Sequence, residues 1–142
     1  MIRHETRVRV RYAETDQMKA AYYGRYFEYF EQARSDMLRA VGLPYPRLEE
    51  MGLWLPVIEA HAEYRRWARY DDELRIVSML KEKPVARVRI DYEVFGPESA
   101  EPIAIGYTIH GFVNATTGRP TRAPAQFLEA VEEAGDRGAQ KG

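Results

Sequence analysis

Apolar residues recur along this chain with two different periods, and each change of period marks a boundary. Val8 and Val10 alternate with Arg7, Arg9 and Arg11, the period of two expected of a half-buried strand. Further on, Tyr26, Phe30, Ala33, Met37 and Val41 recur at spacings of three and four, which places them on one face of a helix over Tyr26 to Val41. Gly42 and Pro44 supply its stop signals. A short helical turn is expected across Tyr45 to Met51, closed by Gly52. Four strand-like runs follow. Ile58, Ala60, Ala62 and Tyr64 alternate with Glu59, His61, Glu63 and Arg65. Leu74, Ile76 and Leu80 share one parity and Val77 and Met79 the other, as in a strand covered on both faces. Ala86, Val88, Ile90, Tyr92 and Val94 alternate cleanly with charged residues. The last run puts Ile103, Ile105, Tyr107, Ile109 and Val113 on one face. Turn residues bound the runs at Arg69 to Asp72, Lys83-Pro84 and Gly96 to Ser99. A short helix is expected from Pro124 to Glu133, followed by a polar, Gly-rich, frayed tail over 135–142.

One helix after the first strand, then consecutive strands, argues an α+β architecture: a five-stranded, mainly antiparallel sheet wrapped round one long helix. At 142 residues the chain reads as a single domain, 1–142. It is long enough to bury roughly two-thirds of its unfolded surface without a metal or disulfide.

Charge and composition narrow the function. Lys and Arg number 21 against 22 Asp and Glu, a net charge of -1. That balance disfavours nucleic acid as the main partner. No cysteine is present, which removes thiolate nucleophiles and Cys-metal sites and suits a cytoplasmic location. No apolar run approaches the roughly 18 residues of a membrane span. His4, His61 and His110 lack the local pairing of a zinc site, and His61 reads as a polar-face residue. No Gly-rich phosphate loop appears, and no serine has a G-x-S-x-G setting.

Candidate chemistry lies between the first strand and the long helix. Glu14, Thr15 and Asp16 follow the strand, and Tyr22, Tyr23 and Gly24 precede the helix. A helix N-terminus offers free N–H groups and roughly half a unit of positive charge. Those donors suit a carbonyl oxygen that turns negative during acyl transfer. A nearby carboxylate can activate water or attack the carbonyl itself. The same residues also suit a plainer structural role, with Asp16 bonding its own turn and Tyr22 and Tyr23 filling core. The residues alone leave both readings open.

The run Tyr12-Ala13-Glu14-Thr15-Asp16, then Tyr23-Gly24-Arg25-Tyr26-Phe27 and Glu31-Gln32-Ala33-Arg34, resembles the 4-hydroxybenzoyl-CoA thioesterase family of the hotdog fold. Arg69-Tyr70-Asp71-Asp72-Glu73-Leu74 extends the resemblance to a third strand. The resemblance implies a hotdog fold and hydrolysis of an acyl-CoA thioester, with Asp16 as general base or nucleophile. Backbone N–H groups of Tyr23 and Gly24 would polarise the carbonyl, and Tyr22 and Tyr26 would line the acyl pocket or the core behind it. Many family members carry His where this chain has Tyr23 and Asn where it has Arg25. No metal or redox cofactor is implied, since CoA is part of the substrate. The partners implied are acyl-CoA and further copies of the chain, as a dimer of dimers with sites between subunits. Lys81, Lys83, Arg87 and Arg89 cluster round a hairpin, and Arg and Lys bind phosphate. They are the candidates for the CoA nucleotide, against the alternative of ordinary surface charge. A non-catalytic acyl-CoA or acyl-carrier-protein binding module of the same fold is the rival reading.

Overall fold

The computed structural model describes residues 1–141, with side chains through residue 138. Strand β1 (Ile2–Arg9) leads through a single 3-10 turn at Tyr12–Glu14 to helix α1 (Arg25–Ala40) and the short α2 (Tyr45–Glu50). Then come β2 (Leu53–Trp54), β3 (Val57–Tyr64), β4 (Glu73–Leu80), β5 (Arg87–Phe95), β6 (Ala104–Asn114), β7 (Pro120–Thr121) and α3 (Ala125–Lys141). The five long strands form one antiparallel sheet in the order β1-β4-β5-β6-β3. The two-residue strands β2 and β7 pair with the far end of β6. This is the expected hotdog arrangement, a sheet packed on one long helix.

The helix face read from the sequence is the buried one. Tyr26, Phe30, Ala33, Met37 and Val41 belong to one core cluster with Leu74 and Ile76 of β4 and Val88, Ile90, Tyr92 and Val94 of β5. Phe30 stacks on Tyr92 with ring centroids 4.4 Å apart, contact worth about 1 kcal/mol beyond area burial. β1 starts earlier than its alternating valines imply. It pairs along its whole length with β4, from Ile2 opposite Leu80 to Arg9 opposite Glu73. The partner strand supplies the order that the polar stretch Arg3 to Thr6 lacks on its own. α3 also runs beyond the expected Glu133, with helical backbone to Lys141; the final residue of the expected tail lies outside the described residues.

β6 corrects the sequence reading. Its buried positions are Ala104, Gly106, Thr108, His110 and Phe112, while Ile105, Tyr107, Ile109 and Val113 sit half-buried on the opposite face. The cause is steric. A Cβ on Gly106 would lie 2.7 Å from the Phe30 ring of α1 and would also collide with the His61 carbonyl of β3. Ala104 and Gly106 therefore take the core side beside Phe30, and the same parity becomes larger only further along, where Phe112 is buried against Phe127 of α3.

The polar members of that parity are paired in the core. Arg34 Nη1 donates to the Tyr92 hydroxyl at 3.3 Å. The Tyr92 and Thr108 hydroxyls lie 2.7 Å apart, Thr108 meets His110 Nε2 at 2.9 Å, and His110 Nδ1 meets the Leu55 carbonyl at 3.1 Å. The direction of each bond follows. A carbonyl only accepts, so Nδ1 carries the proton; neutral Nε2 accepts from Thr108, which accepts from Tyr92. Burial and the nearby Arg34 charge hold the His110 pKa down to about 4, consistent with that neutral tautomer.

β3 is the exposed edge. Among the described residues it pairs with β6 alone, and its first apolar residues are not covered: Val57 is 49% and Ile58 50% exposed, while Ala62 packs partly against the core. An open edge strand with apolar side chains is a template for further pairing.

Candidate active site

The loop between β1 and α1 folds as a tight doubled-back ribbon. Thr15 bridges Ala21, and Ala20 bridges Arg69. The Asp16 N–H donates to the Ala20 carbonyl at 2.9 Å, and the Lys19 N–H to the Asp16 carbonyl at 3.0 Å. Lys19 takes φ +62°, a left-handed turn position. The reversal returns the chain beside its start, where the Tyr22 N–H bonds the Glu14 carbonyl at 2.8 Å. A second anchor comes from the segment after β3. The Ala21 N–H bonds Ala68 O at 2.8 Å, and the Tyr70 N–H bonds Lys19 O at 3.2 Å. Asp16 and Tyr23 thus reach the rim of the same cleft.

That cleft, about 480 Å³, is lined by Asp16, Met18, Ala20, Ala21, Tyr23, Tyr26, Tyr64, Arg66 and Trp67. The lining is mainly apolar and aromatic, with one carboxylate and one guanidinium. Tyr26 forms part of its wall and is otherwise buried, its hydroxyl accepting the Ala68 N–H at 3.3 Å. Burial raises the Tyr26 pKa, so the phenol stays protonated.

Asp16 has a divided carboxylate. Oδ1 accepts the Met18 N–H at 2.8 Å and the Ala20 N–H at 3.3 Å, an Asx turn that fixes the side chain. Oδ2 accepts no hydrogen bond among the described residues. The adjoining acid behaves differently. Glu14 is buried, and its Oε1 accepts the Arg11 N–H at 2.8 Å and the Tyr29 O–H at 3.1 Å. Burial, with the Glu14 carboxylate beside it, raises the Tyr29 pKa. Glu14 therefore ties the 3-10 turn to α1 and is occupied with structure.

At the head of α1, the Arg25 N–H returns to Tyr22 O at 2.9 Å and the Tyr26 N–H to Tyr23 O at 3.3 Å. Neither the Tyr23 nor the Gly24 N–H meets an acceptor among the described residues; Tyr23 lines the cleft, while Tyr22 and Gly24 are not among its lining residues. Gly24 has ordinary helical backbone (φ -65°); its small size matters because the Tyr22 ring covers it, 3.0 Å from where a Cβ would stand. Tyr22 itself is exposed, tilted against Tyr23 at 4.5 Å between centroids.

The basic cluster lies elsewhere in the protomer. Arg87 and Arg89 project from the outer face of β5, where Arg89 pairs with Asp91 at 3.1 Å and lies 3.9 Å over the Tyr107 ring. Lys81 borders the same outer surface, and Lys83 stands with it beside α3. None of the four lines the Asp16 cleft. Conversely, Met18, Tyr64 and Trp67 line it without having stood out in the sequence. Tyr64 reads there as one more alternating strand residue; the local signal was the basic cluster Arg65, Arg66 and Arg69 before a turn, of which Arg66 lines the cleft. Among the described residues, no group of three His, Asp or Glu side chains is placed to hold a metal ion. No helix of the described residues is long and apolar enough to cross a membrane.

Comparison with known proteins agrees with this geometry. Residues 10–131 match the model of the thioesterase-like superfamily. A curated Aquifex aeolicus protein provisionally named an esterase is 32% identical over 127 residues, covering 89% of this chain and 96% of that protein. The structure of a 1,4-dihydroxy-2-naphthoyl-CoA (DHNA-CoA) thioesterase from Staphylococcus aureus is 27% identical with a TM-score of 0.85, covering 99% of this chain and 93% of that one. The crystal structure of a hypothetical protein from Thermus thermophilus is 33% identical with a TM-score of 0.84, over 92% of this chain and 98% of that one. With its hotdog sheet, its cleft and a match over nearly its whole length, the chain belongs to the thioesterase-like superfamily and is an enzyme of thioester hydrolysis.

Proposed function

We propose that the protein hydrolyses an acyl-CoA thioester to the free acid and CoA at the cleft between Asp16 and the head of α1. One observation carries the reading: Asp16 is locked by two backbone N–H groups through Oδ1 while Oδ2 stays unbonded, on the same cleft as Tyr23, whose N–H and that of Gly24 are free. As general base, Asp16 takes a proton from water as the water oxygen bonds to the thioester carbon. The carbonyl π electrons move to oxygen, and the N–H groups of Tyr23 and Gly24 donate hydrogen bonds to that oxyanion. Collapse re-forms the carbonyl, breaks the C–S bond and releases CoA thiolate, which takes up a proton. As nucleophile, an Asp16 oxygen would instead bond to the thioester carbon, the C–S bond would break to release CoA thiolate, and water would then open the resulting acyl anhydride to regenerate Asp16. Tyr23 and Tyr26 offer the acyl group aromatic surface, with Tyr22 covering the head of the helix.

The narrower likeness to 4-hydroxybenzoyl-CoA thioesterases is part of this proposal, and the aromatic cleft supports it. The S. aureus neighbour is named for DHNA-CoA, also an aromatic acyl thioester. Lys81, Lys83, Arg87 and Arg89 are assigned to the nucleotide phosphates. Since they lie away from the cleft within one protomer, the assignment requires a second subunit to complete the site. The exposed edge of β3 supports a homodimer, and the half-buried Ile105, Tyr107 and Ile109 on the outer sheet face support a dimer of dimers. The experiment is hydrolysis of an acyl-CoA panel (benzoyl, 4-hydroxybenzoyl, short and long aliphatic), followed by free-thiol release. Turnover of at least one member that is lost in Asp16→Asn supports the proposal. Tight binding of acyl-CoA without turnover would replace it with a carrier function.

A further inference from the structure

The end of β3 holds the head of α1 through a side chain with no assigned role. The Tyr64 hydroxyl donates to the Tyr23 carbonyl oxygen at 2.8 Å, across 41 residues of sequence. That carbonyl belongs to the peptide unit whose N–H is the Gly24 amide. Among the described residues no peptide bond is cis, and in a trans planar peptide the C=O and N–H point in opposite directions. Fixing the carbonyl therefore fixes the direction of the Gly24 N–H.

We propose that Tyr64 is a positioning residue for the oxyanion-binding peptide: its hydroxyl holds and polarises the Tyr23–Gly24 amide so that the Gly24 N–H is preorganised as a donor. The inference rests on the reading of that amide as the oxyanion donor. Three features favour a dedicated role over incidental contact. First, the only other donor to this carbonyl among the described residues is the Tyr26 N–H at a long 3.3 Å, so the phenol is the stronger hold on the first turn. Second, the Tyr64 ring is wedged edge-on between Tyr26, at 5.0 Å, and Tyr23, at 6.4 Å, which fixes the hydroxyl's approach. Third, both partners of the bond, Tyr64 and Tyr23, line the same cleft as Asp16. A hydrogen bond received at C=O draws electron density from the amide nitrogen and makes its N–H a better donor, the cooperative effect of linked hydrogen bonds. Burial and the neighbouring Tyr23 raise the Tyr64 pKa, which keeps the phenol a donor at neutral pH.

Tyr64→Phe tests this, because it keeps the ring between Tyr23 and Tyr26 and removes only the hydroxyl. With the best substrate of the acyl-CoA panel, we expect kcat to fall about 10-fold, below the roughly 10²–10³ lost on deleting an oxyanion donor outright, with KM unchanged within about twofold. A trifluoromethyl-ketone analogue of that acyl-CoA, which places an oxyanion at the carbonyl, should bind about 10-fold more weakly to the variant. The corresponding thioether, lacking the carbonyl, should bind equally to both. In the 15N spectrum of the free protein, the Gly24 amide should shift while amides in the middle of α1 stay. Wild-type kcat in Tyr64→Phe beside an inactive Asp16→Asn would overturn the Tyr64 role alone. Full activity in Asp16→Asn would overturn the site reading beneath it. An unmoved Gly24 amide overturns the positioning role whether or not any substrate is turned over.

Discussion

Replacing Asp16 by Asn is the sharpest perturbation, because it separates the two jobs of one side chain. The carboxylate is anchored through Oδ1 by the N–H groups of Met18 and Ala20. Asn offers a carbonyl oxygen at the same place, so the Asx turn survives. What it loses is charge assistance in those bonds: about 1.5–3 kcal/mol for a charged hydrogen bond against 0.5–1.5 for a neutral one. The group is only partly buried, so solvent screening reduces the difference, and we expect no more than about 1 kcal/mol of stability lost. That is a fall of a few degrees in Tm for a domain of this size. The chemical cost is much larger. The Asn amide cannot take a proton from water or form an acyl intermediate, so kcat should fall roughly 10²–10⁴, about 3–5 kcal/mol of barrier, with KM little changed. Free-thiol release gives the rate, and thermal unfolding by circular dichroism gives the stability. Asp16→Ala should lose the same activity and more stability, since both turn N–H groups then lose their acceptor. Glu14→Gln is no neutral control: the buried Glu14 receives the Arg11 N–H and the Tyr29 O–H, so its loss should appear mainly as instability. Retention of wild-type kcat within about threefold in Asp16→Asn would refute the assignment.

The remaining predictions concern the core, the assembly and the nucleotide. His110 has its folded pKa lowered to about 4 from an unfolded value near 6.5, so the unfolded chain binds the extra proton; stability is full above about pH 6.5 and is lost as pH falls toward 4, by about 3 kcal/mol. Urea titrations at stepped pH should show that acid limb flattened in His110→Gln, and an unchanged limb would refute the buried neutral tautomer. Gly106→Ala places a Cβ against the Phe30 ring and the His61 carbonyl and should cost about 3 kcal/mol or more by overpacking, whereas Gly111→Ala, whose nearest contact is Ile58 at 3.9 Å, should be tolerated in the same melts. Light scattering should give at least twice the 16.5 kDa of one chain at micromolar concentration, and a monomer mass would remove the shared-site model. Neutralising Lys81, Lys83, Arg87 or Arg89 should raise KM about tenfold or more for acyl-CoA but much less for a pantetheine thioester lacking the nucleotide; equal effects would return those residues to surface charge.

How far the sequence could be read depended on whether periodicity or close approach decided a position. On α1 it was periodicity. The wide apolar face at Tyr26, Phe30, Ala33, Met37 and Val41 had one consistent solution, and all five are buried. On β6 close approach prevailed. Its larger apolar residues share a parity, and hydrophobicity alone sends that parity inward, yet the core side belongs to Gly106, Thr108 and His110. Two facts invisible to a one-dimensional pattern reverse it. The Phe30 ring leaves no room for a side chain at position 106, and Arg34, 34 residues into the chain, brings a buried donor to the Tyr92 hydroxyl, from which the bonds continue through Thr108 to His110. The position of Arg34 on the inner face of a helix was the available hint, since a buried arginine demands polar neighbours.

The loop before α1 shows a different limit. Turn former and reactive acid looked like competing descriptions of Asp16, because a sequence assigns one label to one residue. The structure assigns roles to atoms. Oδ1 serves the turn through Met18 and Ala20, and Oδ2 is left unbonded. In the proposed mechanism the first role would serve the second: a carboxylate on a free side chain spends rotational entropy in reaching its target, whereas one tied by two N–H groups does not. The same logic governs the opposite wall. The Tyr23 carbonyl is held by Tyr64 while the Gly24 N–H on the same peptide is free. In both cases one end of a polar group is committed to the fold, and the other is thereby aimed. Such sharing depends on contacts like Tyr64 to Tyr23, 41 residues apart, and no local motif around either residue could announce it.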